Sequence, residues 1–144
     1  MSDVAEKKTL RSVKKKLRGL CRTQYDILKE RTSASKNLYN QALYAVRQVY
    51  LLTGEYLNYN AVDRLMKETL NLEGKVNYRL MKAQTAQQTL RRLDKNYISF
   101  FRLLKARPDM NPEPPKYIRK ERHNVLYPKQ SFQIKDGHAV IEKG

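Results

Sequence analysis

The stretch QQTLRRLDKNYISFF, residues 87–101, places apolar side chains three and four positions apart. Leu90, Leu93 and Tyr97 fall on one face of a helix with 3.6 residues per turn, whereas arginines and lysines occupy the other faces. The same spacing continues on both sides of the stretch and predicts a helix over about residues 78–104. Such a helix buries one face against its neighbours and leaves a basic face outside.

Two further helices are predicted before this one. Over about residues 23–52 apolar residues recur at spacings of three, four and seven. Gly54 ends the run, because glycine tolerates the left-handed conformation that follows many helices. A short helix follows Asn60, a residue type that caps helix N-termini. The three segments predict a small helical bundle with basic outer faces. The tyrosines expected in its core are Tyr39, Tyr50 and Tyr97.

The pattern changes after the helices. Residues 107–115 hold four of the five prolines, which cannot continue a helix and favour extended chain. Beyond them the apolar period becomes two, and residues 131–134 and 139–142 flank an Asp136-Gly137 pair. An Asp-Gly pair between alternating segments predicts a β-hairpin.

Two other short stretches are candidates for strands. Residues 125–127 are apolar, and residues 10–17 alternate loosely and fit either a strand or a solvated helical arm. The fold class predicted is therefore mainly α with a small β part. A hairpin with one extra strand is marginal in water. We therefore expect either the first part of a larger protein or a chain that needs a partner to complete its sheet.

The charge is strongly unbalanced. Thirty Lys and Arg against fourteen Asp and Glu give a net charge of +16 in 144 residues, which usually reflects a polyanionic partner. Residues 7–36 carry eleven Lys and Arg against two acids, and residues 116–129 carry five against one. No apolar run suits a membrane span, and the N-terminus lacks the apolar core of a signal peptide. One cysteine cannot form an internal disulfide or a structural zinc site. We expect a cytoplasmic, nucleoid-associated protein without cofactors.

Several motifs occur together in one order: SKNLYNQAL at residues 35–43, the stretch at 87–101, PPKYIRK at 114–120, FQIKDG at 132–137 and IEKG at 141–144. In this order they resemble the N-terminal region of the TnpB (OrfB) proteins of insertion sequences. These are compact RNA-guided nucleases related to type V CRISPR effectors. The resemblance covers almost the whole chain from about Leu10.

The resemblance implies a wedge domain, which is a β-barrel split in sequence around a helical recognition lobe. Residues 1–22 would be a basic arm or wedge strand, 23–106 the recognition lobe, 107–115 a proline-rich linker, and 116–144 a basic segment with the wedge hairpin. The family's RuvC-like nuclease fold, with three metal-binding carboxylates, and its four-cysteine zinc ribbon both follow this region. We therefore expect an incomplete barrel and a chain that does not cut DNA by itself.

Glutamines in the third helix are the candidates for reading DNA, because a glutamine amide can pair with both N6 and N7 of adenine. Gln84, Gln87 and Gln88 share one helix edge, and Lys82 could reach a guanine or a phosphate. The resemblance implies that Gln87 and Tyr59 contact the short motif beside the target. The family's basic residue one turn before the glutamine is replaced by Ala83. The alternative is that these are ordinary polar helix residues and that Tyr59 belongs to a packed turn.

Two basic segments are the candidates for binding RNA, because cations suit its phosphates and a tyrosine ring can stack on an unpaired base. The alternatives are a disordered, solubilising linker for the second segment and a merely solvated arm for the first. The residues are Lys14, Lys15, Lys16 and Arg18 in the first segment, and Lys116, Tyr117, Arg119, Lys120 and Arg122 in the second.

These features predict a non-catalytic nucleic-acid-binding module of a TnpB-like nuclease. Its partners would be guide RNA and double-stranded DNA, and a separate nuclease-bearing chain is a third candidate. The alternative is a truncated remnant or a partner protein. A remnant would bind polyanions through charge alone, and a partner or inhibitor would bind a longer nuclease chain.

Overall fold

The computed structural model describes residues 9–142. Its helices are α1 (Arg22–Thr53), α2 (Tyr59–Met66) and α3 (Ala83–Ala106). Short 3-10 turns cover Asn77–Leu80, Pro108–Met110 and Lys129–Ser131, and the two strands are β1 (Gln133–Lys135) and β2 (His138–Val140). The prediction of a mainly α fold with three helices and a small β part is confirmed.

The bounds of α1 follow from its caps. At its start the Cys21 backbone N–H donates to Oε1 of Gln24 at 3.0 Å. At its end Gly54 takes a left-handed conformation with φ 73°, and its N–H donates to the Tyr50 carbonyl at 2.8 Å. The predicted stop at this glycine is confirmed.

The other two helices begin at different residues from those predicted. The N-cap of α2 is Asn58, whose Oδ1 accepts the Ala61 N–H at 3.0 Å, so α2 starts before Asn60. Residues 77–80 form a separate 3-10 turn, and α3 starts only at Ala83 because Lys82 has an extended ψ of 140°. Met81 and Lys82 thus separate the 3-10 turn from α3, although the apolar spacing in the sequence continues through both.

The core lies between α1 and α3, with α2 covering one side. Leu38, Leu43 and Leu90 are almost fully buried. Ser35 and Thr89 share a buried hydrogen bond of 3.2 Å between the helices, which satisfies both hydroxyls. Because Ser35 faces Thr89 and, further along both helices, Tyr39 bonds to Asn96, α1 and α3 run in the same direction. Of the tyrosines predicted in the core, Tyr39 and Tyr97 are buried, but Tyr50 is exposed.

The hairpin is where the Asp-Gly pair predicts it. Gln133 pairs with Val140 and Lys135 with His138, and the turn residues Asp136 and Gly137 have φ values of 50° and 73°. Both left-handed conformations suit a two-residue turn of this kind. The strands are three residues each and shorter than predicted.

The two additional strand candidates are wrong. Residues 125–127 are not a strand, and Val125 packs its side chain against the helical core instead. Residues 10–17 form neither a helix nor a strand in the described part of the chain. Their apolar residues Leu10 and Val13 are largely exposed, so there is no packing surface that would stabilise a strand there. Residues 1–8 and 143–144, which belong to the predicted arm and hairpin segment, lie outside the described residues.

Candidate nucleic-acid interface

Residues 115–124, here called the strap, run along α1 without forming a helix or a strand. In the middle of the strap the side chain of Asn40 binds the backbone of Ile118. Its Oδ1 accepts the Ile118 N–H at 2.8 Å, and its Nδ2 donates to the Ile118 carbonyl at 3.0 Å. One side chain therefore satisfies both polar groups of a backbone unit that has no sheet partner.

Both ends of the strap are also bonded to α1. Arg47 Nη2 donates to the Pro115 carbonyl at 2.6 Å, and the Ser35 hydroxyl donates to the Asn124 carbonyl at 2.9 Å. The His123 backbone N–H donates to the Thr32 carbonyl at 3.1 Å. These bonds contradict the alternative of a disordered linker, because side chains of α1 hold the strap along its length.

The predicted RNA-binding residues of the strap differ in what surrounds them. Lys116 pairs with Glu113 at 2.6 Å, and the Tyr117 ring lies 4.7 Å from the Arg47 guanidinium. Arg122 Nη2 donates to the Tyr25 hydroxyl at 3.1 Å, and this bond and the arginine charge lower the pKa of Tyr25. Within residues 9–142, Arg119 and Lys120 are exposed and form no ion pair or side-chain hydrogen bond.

A groove of about 670 Å³ lies beside the strap and is here called the basic groove. Exposed cations of α3 line one side, residues 123–127 at the end of the strap and just beyond it also line the groove, and none of the described lining residues is acidic. Arg31, which also lines the groove, pairs with Glu30 at 3.4 Å and with Glu142 at 3.6 Å. The α3 cations form no ion pair within residues 9–142, so they concentrate positive potential in the groove. The α3 residues that carry this wall are Gln88, Arg91, Arg92 and Lys95.

His123 joins the strap to the cations of the groove. Its Nε2 lies 3.4 Å from Nη1 of Arg92, and its ring centroid is 5.7 Å from that of Tyr39. Because arginine only donates hydrogen bonds, Nε2 must be the acceptor and the neutral ring carries its proton on Nδ1. Burial and the neighbouring Arg92 charge lower the pKa of His123. The residue is therefore neutral at pH 7.

The N-terminal arm, here residues 9–20, passes the edge of the same groove, since Leu17 contributes to its lining. Lys14, Lys15, Lys16 and Arg18 are all exposed. The described chain shows no ion pair or side-chain hydrogen bond for any of these four cations. The first predicted RNA-binding segment thus lies next to the cationic wall of α3.

Tyr59 and Gln87, the two residues implicated in DNA contact by the resemblance, lie in one cluster. Arg91 stacks its guanidinium 4.2 Å from the Tyr59 ring centroid, and Gln87 lies one helical turn before Arg91, beside the Tyr78 hydroxyl. That hydroxyl donates to Oδ1 of Asp63 at 2.9 Å. Burial is the largest cause that raises the pKa of Tyr78, to about 12, and burial also raises that of Tyr59. Both phenols therefore stay protonated donors at pH 7.

The other predicted DNA-binding residues are placed differently. Gln88 lines the basic groove, and Gln84 is exposed near the start of α3. The Lys82 ammonium donates to the Ser131 carbonyl at 3.0 Å and to the Ile141 carbonyl, and it lies 5.8 Å from the Tyr127 ring centroid. It thereby ties the start of α3 to the hairpin segment.

The sequence predicts that the cations of α3 lie on a basic outer face, but it does not identify them as binding residues. Arg91, Arg92 and Lys95 become part of a groove only because residues 123–127 lie beside them in the fold. A signal was present in the sequence, since Gln88, Arg92 and Lys95 follow at spacings of four and three and share a helix face.

No group of three or more His, Cys, Asp or Glu side chains suited to a metal ion occurs within residues 9–142. No helix in that part of the chain has the length and apolarity needed to cross a bilayer. No protein-family model, curated protein or solved structure matches this chain.

Proposed function

We propose that this chain is a non-catalytic nucleic-acid-binding module of the TnpB type, acting in the cytoplasm at the nucleoid. It binds a guide RNA and the short DNA motif beside the target, and base pairing between RNA and DNA supplies most of the sequence specificity. The observation that carries the proposal is the basic groove, which is lined by Arg91, Arg92 and Lys95 without an acidic residue.

The groove suits the backbone of a single RNA strand. Its cations sit on one helix, so their spacing along the groove is set by the helix backbone. The strap adds exposed Arg119 and Lys120, which are near the groove-lining His123 in sequence. Phosphate contacts of this kind release counterions and supply affinity without sequence preference. The arm supplies further positive charge at the groove edge through the run around Leu17.

The cluster around Tyr59 supports contact with duplex DNA. The Tyr59 ring and the Arg91 guanidinium stack on each other, and this contact restrains a cation one turn from the Gln87 amide. An amide beside a held guanidinium can pair with a base edge while the cation contacts the adjacent phosphate. In this proposal Gln87 reads the base and Arg91 positions it.

The first test purifies the chain with its bound RNA and sequences that RNA. One defined transcript is expected. The combined variant Lys116→Ala, Arg119→Ala and Lys120→Ala should bind that transcript more weakly than the parent chain.

The second test is a salt titration of RNA binding with two triple variants. The groove variant is Arg91→Gln with Arg92→Gln and Lys95→Gln, and the control variant is Arg64→Gln with Arg102→Gln and Lys105→Gln. Both variants remove three charges from exposed helix positions. The groove variant should lose about 2 units of salt slope on single-stranded RNA, and the control less.

The DNA contact is tested by selection from randomised duplexes. Gln87→Ala should relax the preference at one base pair by about 1 to 3 kcal/mol, whereas the exposed Gln130→Ala should leave the selected motif unchanged. If the two variants select the same motif as the parent chain, Gln87 does not read DNA.

The second candidate function is polyanion binding through charge alone, favoured by the net charge of +16. It predicts a mixture of cellular RNAs released together at moderate salt, with equal slopes for the groove and control variants. That result would remove the guide-RNA proposal.

A further inference from the structure

A second depression lies where α1 and α3 end, and it is here called the aromatic cavity. It has a volume of about 400 Å³ and is walled by Tyr56, Phe100, Phe101, Leu104 and Leu51. Tyr56 meets Phe101 edge-on with ring centroids 5.2 Å apart. The Tyr56 hydroxyl already donates to Asp94 at 2.7 Å, so the wall offers mainly ring surface. Cavities of this size and character commonly hold apolar groups of a partner.

The rim of the aromatic cavity is also apolar and open. Leu51 is 76% exposed in the last turn of α1, and Leu104 is 43% exposed at the end of α3. Single exposed leucines are ordinary, but apolar side chains that surround an aromatic cavity on two adjacent helix ends mark an interaction surface.

The charge at this surface is positive. Arg47 lines the cavity, and it forms no ion pair in the part of the chain that the structure describes. Its Nη2 donates to a carbonyl, and its buried Nε has no hydrogen-bond partner. Lys105 is exposed next to Leu104, and the described residues lining the cavity include no carboxylate. An apolar occupant that carries carboxylates would therefore be favoured by both the cavity and its charge.

We propose that the aromatic cavity docks an acidic polypeptide segment of another protein. One apolar side chain of that segment enters the cavity and packs against the Tyr56 and Phe101 rings, and its carboxylates face Arg47 and Lys105. A second copy of this chain is disfavoured as the occupant, because two copies each carry a charge of +16. The aromatic cavity and the basic groove share no lining residue, so the protein partner and the nucleic acid can be bound together.

The test uses a phage library of random peptides, panned against the full chain at a salt concentration that screens diffuse charge attraction. The enriched peptides should carry aromatic or leucine anchors flanked by Asp and Glu. Leu51→Glu should weaken them about tenfold or more, because it places a negative charge at the mouth of the cavity.

The matched control is Leu52→Glu. Leu52 is at least as exposed as Leu51 and does not line the cavity, so the two variants carry the same charge and neither disturbs the core. Leu52→Glu should retain peptide binding, and both variants should bind RNA equally, which separates this proposal from the proposed nucleic-acid function.

Failure to enrich peptides, enrichment of basic peptides, or equal weakening by the two variants would overturn the proposal. So would self-association of the chain, measured by light scattering, that Leu51→Glu abolishes and Leu52→Glu leaves intact.

Discussion

The N-terminal arm and the strap have similar composition and very different environments. Both are basic, and neither contains a regular helix or strand. Asn40, Ser35 and Arg47 of α1 hold the strap through its backbone carbonyls and N–H groups. Residues 9–20 show no such bonds in the described chain, and Leu10 and Val13 remain exposed.

The difference shows that charge density does not decide whether a segment belongs to the fold. A segment without sheet partners is fixed when side chains of a helix replace the missing backbone partners. Ile118 also packs against the core, which gives the strap an apolar anchor that the arm lacks. The backbone that carries the strap's cations is therefore held to α1, whereas the backbone of the arm has no such bonds within the described residues.

The largest effect is expected on RNA binding when cations of the arm are removed, with no change in stability. Changing Lys14, Lys15 and Lys16 to alanine removes up to three phosphate contacts, so affinity for single-stranded RNA should fall up to about a hundredfold at about 0.1 M salt. Fluorescence anisotropy measures this effect. The urea midpoint of unfolding should not change, because the side chains are exposed and unbonded in the described chain. A lowered midpoint would show that the arm is part of the fold.

In the strap we expect a loss of stability instead, when the side chain of Asn40 is removed. Asn40→Ala leaves the Ile118 N–H and carbonyl without their partners and should cost about 1 to 3 kcal/mol of unfolding free energy. Urea denaturation measures it, with the exposed Asn37→Ala on the same helix as the control. Equal stability of the two variants would mean that the strap is not held by Asn40.

A smaller effect is expected on the pH dependence of stability, through His123 near the C-terminal end of the strap. Because the pKa of His123 is lowered in the folded chain, the unfolded chain binds a proton first as pH falls through about 6.5. The contribution of His123 to stability is thus present above that pH and lost below it. The unfolding free energy should decrease between about pH 7.5 and 5.5, and His123→Gln should reduce that decrease. His138→Gln, in the exposed hairpin, is the control.

The smallest effect is expected within the strap itself. Lys116 is paired with Glu113 on the surface, whereas Arg119 has no ion-pair partner in the described residues. An exposed pair contributes little, so Lys116→Ala should leave the unfolding midpoint unchanged. Arg119→Ala should lower the salt slope of RNA binding more than Lys116→Ala does. Equal slopes would show that the pair opens on binding.

The sequence was a good guide wherever a signal is local. The end of α1 at Gly54 and the hairpin turn at Asp136-Gly137 each depend on a left-handed conformation that few residue types adopt. The start of α3 was placed too early because residues 77–80 share its apolar pattern but form a separate turn. Period alone cannot distinguish a continuous helix from a turn followed by a helix.

Only part of the candidate site can be recognised in the sequence. The basic segments and the glutamines of α3 are predicted from residue type. Gln88, predicted to contact DNA, lines the groove proposed for RNA, so its role stays a prediction. The role of Arg91 and Arg92 depends on contacts with Tyr59 and His123, which are 32 and 31 residues away along the chain. No local pattern reports such pairings.

The fold class, the helical segments, the hairpin turn and the excess of positive charge can all be derived from the amino-acid sequence. All of these follow from residue type and short-range spacing. That residues 115–124 are hydrogen-bonded to α1 while residues 9–20 are not, and that the cations of α3 line a groove, can be seen only in the tertiary structure. The reason is that both depend on hydrogen bonds such as that between Asn40 and Ile118, which join residues 78 positions apart. Their partners are set by how the helices pack.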